Sequence, residues 1–185
     1  MFGFDDDDDF DLMDMVEADI QYGLFEDDDR LVLLQGQPKM TPTYLKNMQD
    51  VYKKLEQGFN KIEQILKSSN YSERALFKAY CELADTFEVK FHLLKEKLEK
   101  DYHFIIDCAE QFPGNFPELQ EYIDTFFDEF DELEDCLTAF DDVIDYEYEE
   151  GFESKAEEYS DKKSLLEDEL SDIESMKDEI ETLDY

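Results

Sequence analysis

The sequence predicts an all-α protein, an antiparallel bundle of three to four long helices preceded by an acidic N-terminal arm. Three observations carry this reading. The 185 residues include only 6 Gly and 4 Pro, too few turn formers for a many-stranded sheet. Hydrophobic residues make up 42% and aromatics 15%, enough for a real core in a chain of this length. The apolar residues also recur at steps of three and four, the period of a helix with one buried face.

The elements follow in order. Residues 1–38 open on five consecutive Asp (Asp5 to Asp9) and are read as the arm, with residues 39–185 as the bundle domain. Within the arm, Leu12, Val16 and Ile20 fall a turn apart and serve as apolar anchors. From Pro42 the pattern is helical, with a seam of Leu45, Met48, Tyr52, Leu55, Phe59, Ile62 and Leu66. "SSNYSE" breaks it and offers Asn70 or Ser72 as the next N-cap. A second helix over 72–111, roughly 60 Å long, aligns Leu76, Tyr80, Leu83, Phe87, Phe91, Leu94, Leu98, Tyr102, Ile105 and Ala109. Its length leaves room for a break near 100–103. "FPGNFPEL" stops it. The third helix carries Leu119, Ile123, Phe126, Phe130, Leu133, Leu137, Phe140 and Ile144, and Gly151 is its expected end. A fourth covers about 154–183 with Leu166, Leu170, Ile173, Ile180 and Leu183.

Charge divides the chain unevenly. The formal net charge is −36. Residues 1–38 carry 13 acids and one base, and residues 39–104 carry 10 acids and 12 bases. Residues 105–153 hold 18 acids and no base, and the remainder 12 acids and four bases. Such a chain disfavours bare nucleic acid and anionic membrane and attracts basic proteins. No apolar run approaches the roughly 18 residues needed to span a bilayer. The three cysteines, Cys81, Cys108 and Cys136, form no CxxC pair, which fits a reducing cytoplasm (the host's, if the protein is viral).

Motifs for chemistry are missing. No phosphate-binding loop or nucleophile elbow is present, and the paired carboxylates lack the dissimilar environments that acid–base catalysis needs. His92 and His103 each follow a Glu by four residues, a spacing for ion pairing rather than for a di-iron set. The Asp runs fit no EF-hand loop. The expectation is a protein without catalytic residues, cofactor or metal.

What stands out is "FFDEFDELEDCLTAFDDVIDYEYEE", residues 126–150, with twelve carboxylates and no Lys or Arg. On a helix this is one charge per roughly 3.1 Å of axis, against one phosphate per about 3.4 Å in a DNA strand. The expected partner-binding residues are Asp128, Glu129, Asp131, Glu132, Glu134, Asp135, Asp141, Asp142 and Asp145, with Tyr146, Glu147 and Tyr148 beside them to stack on Arg. Reversing Asp128, Glu129, Asp131 and Glu132 to Lys is expected to preserve helicity and abolish partner capture.

In size, acidity and its base-free segment the chain resembles the small acidic proteins that phages and mobile elements use against restriction or CRISPR nucleases. That resemblance implies an inhibitor that mimics nucleic-acid charge and blocks the basic surface of a nucleic-acid-binding partner. Two other readings stand beside it. One is an acidic chaperone or immunity-type protein for a basic client. The other is a coiled-coil scaffold whose seams at 45–66 and 119–144 build a homodimer.

Overall fold

A computed structural model describes residue 36 and residues 38–70, 72–111, 117–146 and 152–183, and all regular structure among them is helical. Four helices follow one another: α1 (Pro42–Lys67), α2 (Glu73–Gln111), α3 (Pro117–Ile144) and α4 (Glu153–Glu181). Nearly all of the expected arm, together with Glu147, Tyr148 and Gly151, lies outside the described residues.

Local chemistry sets the helix ends. Thr41 caps α1 by accepting the Tyr44 N–H at 3.1 Å, and Pro42 fills the first turn, where no N–H is needed. Ser72, not Asn70, begins α2: its carbonyl takes the N–H groups of Ala75 and Leu76 at 2.9 and 3.0 Å. α2 then runs 39 residues without the break allowed for near 100–103. It contains neither Gly nor Pro, and it is packed by other helices on more than one side. α3 ends at Ile144, well short of Gly151. Asp141, Asp142 and Asp145 crowd the negative end of its dipole, and its last turn has no base to compensate.

The pairings give an up-down-up-down order. Gly58 meets Leu83 and Lys61 pairs with Glu82, so α1 and α2 are antiparallel. Phe104 lies on Tyr122 and Tyr146 reaches Glu73, so α2 and α3 are too. Asp141 holds Lys163 while Lys177 covers Phe130, which makes α3 and α4 antiparallel. Tyr159 to Asp85 and Tyr102 to Glu179 then set α2 and α4 parallel.

α2 is the hub. Phe91, Leu94, Leu98 and Ile105 of α2, Ile123, Phe126, Phe130, Leu133 and Phe140 of α3, and Tyr159, Leu166, Ile173 and Ile180 of α4 are buried. Each such side chain stabilises the fold by about 1.5–3 kcal/mol. α1 builds a smaller core on the other flank of α2, with Val51, Leu55 and Ile62 against Leu76, Ala79 and Leu83. Only part of its expected seam is used: Leu45, Tyr52, Phe59 and Leu66 remain 49–52% exposed. No helix among the described residues is long and apolar enough to cross a membrane.

Candidate interaction surface on the acidic helix

The seam of α3 is buried from Leu119 through Phe140, and Cys136, Ala139 and Val143 join it. The acids therefore occupy what is left of the helix surface, and the structure sorts them into two groups.

The first group faces neighbouring helices. Glu129 pairs with Lys97 of α2, which also holds Asp101 at 2.6 Å. Glu132 Oε2 lies 2.9 Å from Lys90 Nζ and accepts a hydrogen bond from Tyr52 Oη at 3.4 Å. Asp141 Oδ1 takes Lys163 of α4 at 2.6 Å. Lys90 and Lys97 are deeply placed, with side chains 10% and 14% exposed. Burial works against their cations, but the carboxylate hydrogen bonds and the negative groups around them together outweigh it and hold both lysines protonated beyond their ordinary range.

The second group faces water. Asp124, Asp128, Asp131, Asp135 and Asp142 are exposed and follow one another at steps of four, three, four and seven. These steps place them on one narrow face, opposite the seam. Glu121, Glu134 and Asp145 flank that row and are also exposed. Among the described residues none of these carboxylates is ion-paired, although Asp124 takes the Gln120 amide at 2.7 Å. Crowding by its own kind is visible at Asp142, whose carboxyl is pushed up by partial burial and by Asp141 and Asp145.

This sorting corrects the charge density read from sequence. Of the expected residues, Asp128, Asp131, Glu134, Asp135, Asp142 and Asp145 remain free of ion pairs. They span about 26 Å of axis, or one charge per roughly 4–5 Å, which is sparser than phosphates on a DNA strand. It also corrects the expected effect of reversing Asp128, Glu129, Asp131 and Glu132 together. Lysines at 129 and 132 would face Lys97 and Lys90 and unseat α3.

Tyr146 is half-buried against Phe77, Tyr80 and Phe152, with ring centroids 5.4, 6.0 and 6.4 Å away. Its hydroxyl donates to Glu73 at 3.4 Å, so it clamps the end of α3 to the start of α2. His92 sits 3.7 Å from Glu169 of α4 rather than on Glu88, which pairs with Lys162. All three thiols are buried, and burial pushes Cys136 up to about 12. A cavity of about 30 Å³ between Thr41, Tyr44, Lys97 and Asp101 has room for a water molecule.

The residues that sequence reasoning missed are Lys90, Lys97 and Lys163, which tie down the inner flank. A signal existed for two of them: Lys90 and Lys97 stand seven apart inside the apolar run of α2, where a lysine needs an anion from a neighbouring helix. Comparison of the chain with protein-family models, with curated proteins and with solved structures finds no match.

Proposed function

We propose that the protein is an acidic, non-catalytic inhibitor that presents the outer aspartate row of α3 to the basic nucleic-acid-binding surface of a partner and blocks it. One observation carries this reading. Asp124, Asp128, Asp131, Asp135 and Asp142 are exposed and without ion pairs on a helix whose inner acids are all engaged by lysines. Folding does not ask for such a row. Like charges a turn apart, as at Asp124/Asp128 and Asp131/Asp135, oppose the helix by about 0.2–0.5 kcal/mol each. The lysine ties hold the row on a rigid helix, so little is lost in ordering it on a partner. Complementary charge would make association fast and salt-sensitive.

A second reading, an acidic chaperone or immunity-type protein for a basic client, is favoured by the charge spacing, which is wider than that of phosphates. One experiment separates the two. The protein is used to capture partners from host-cell lysate at low and high salt, with and without excess duplex DNA. Alongside it runs a variant carrying Asp128→Asn, Asp131→Asn, Asp135→Asn and Asp142→Asn. Capture of a nucleic-acid-binding protein that DNA displaces and the variant loses, at unchanged helicity, is the expected result. A partner lost by the variant but indifferent to DNA gives the surface to a basic client. Capture that the variant retains moves the site off α3.

A further inference from the structure

We infer that α1 carries a self-association face, on which a second copy of this chain docks antiparallel through Leu45, Tyr52, Phe59 and Leu66. The observation is independent of the acidic row. α1 packs on α2 almost alone, with Tyr52 reaching Glu132 of α3. Its seam divides into two heptad rows. Leu55 and Ile62 are buried, with Met48 half-buried in the same row. Leu45, Tyr52, Phe59 and Leu66, also seven apart, are each about half exposed, at 49–52%. Outside this row, the large apolar residues exposed among the described residues are Val89 of α2 and Leu165 of α4, one on each helix. Four such residues, about 10.5 Å apart, line one exposed face of a single helix.

Three features favour a second copy as the occupant. The row reads Leu, aromatic, aromatic, Leu from either end. A two-fold axis between Tyr52 and Phe59 therefore sets Leu45 against Leu66 of the other copy, and Tyr52 against Phe59, as an isologous interface requires. The flanking charges obey the same axis: Lys46 meets Glu63 of the other copy and Lys53 meets Glu56. Lys46, Lys53 and Glu56 have no ion pair among the described residues, and Glu63 has only an exposed one with Lys67. Finally, α1 is the one described helix in which bases outnumber acids, five Lys against Asp50, Glu56 and Glu63. Two chains of charge −36 repel least across this face.

Size sets the strength. Half-exposed, the four side chains offer roughly 350 Å² per copy, against the ~800 Å² per partner of a standard interface. The dimer is accordingly weak and reversible, and it is strengthened by salt that screens the net charge.

The test is sedimentation velocity of the full chain over about 1 µM to 1 mM, in salt of roughly 0.5 M. A monomer–dimer equilibrium is expected. Leu45→Lys with Leu66→Lys should weaken dimerisation more than tenfold at unchanged helicity, since both positions are half exposed. In a lower salt of about 0.1 M, where the flanking pairs are less screened, Lys53→Glu alone sets Glu against Glu twice and should also weaken it, and adding Glu56→Lys should restore it. A chain monomeric at every concentration gives the face to another occupant and overturns the proposal. A dimer indifferent to the leucine changes does the same. Failure of Glu56→Lys to rescue Lys53→Glu overturns the antiparallel register.

Discussion

A lysine with 8% of its surface in water either loses its proton or finds an anion. Lys90 has found Glu132, 2.9 Å away, and lies 5.4 Å from the Tyr52 ring centroid. Removing only the anion strands the cation. Glu132→Gln should therefore lose about 1–2 kcal/mol, less than a fully buried pair because Glu132 is half exposed. Lys90→Met keeps the apolar stem and removes the charge, so it should cost less than about 1 kcal/mol. Urea midpoints at constant slope measure both, and the reverse order would show that the cation itself stabilises the fold. This is also where sequence reading stopped. The seam showed which residues of α3 point inward, and all from Leu119 to Phe140 do. It could not show which flank meets which neighbour, because that depends on helices far away in the chain. Spacing alone therefore groups Glu129, Glu132 and Asp141 with the outward acids, and it does not reveal that Tyr146 clamps the end of α3 to the start of α2.

At the scale of the element, α1 comes close to α2 at Gly58. A glycine in mid-helix is unfavourable by about 1 kcal/mol against Ala, yet Gly58 sits at the centre of α1. A Cβ there would stand 3.0 Å from Leu83 Cδ1, and Leu83 is buried. Gly58 thus lets the two helices close on each other. Gly58→Val should push them apart at a cost of about 1–3 kcal/mol. Because α1 packs mainly on α2, the loss should be local. Hydrogen exchange should quicken in α1 amides while those of α3 and α4 keep their protection. Uniform acceleration would mean that α1 is cooperatively locked to the rest. The helices themselves were legible because Pro42, Ser72 and the three-four spacing are local signals. The extra burial of Phe77, Cys81, Ala84, Phe104 and Cys108 was not. These lie off the single seam of α2 and are buried because α2 is contacted from several sides.

For the whole molecule, the question is whether attraction or repulsion among charges dominates. The ion pairs are mostly partly exposed, worth about 0–1 kcal/mol each. The repulsion of a −36 chain instead sums over the entire surface. Salt weakens both, shortening the Debye length from about 30 Å at 0.01 M to about 8 Å at 0.15 M, and the longer-ranged term loses more. Melting temperature should therefore rise with NaCl, by about 2–4 °C per kcal/mol recovered for a chain of this size. Acidification tests the same balance. The Asp142 carboxyl, pushed up by burial and by Asp141 and Asp145, binds its proton more tightly folded than unfolded. Its contribution is full below the ordinary 3.8 and is lost as pH rises through the folded value. Stability should thus gain from this group as pH falls through its folded value toward 3.8. A melting temperature that instead drops with salt and with mild acid would assign the fold's stability to its lysine pairs, and the acidic surface would then be carried at no net cost.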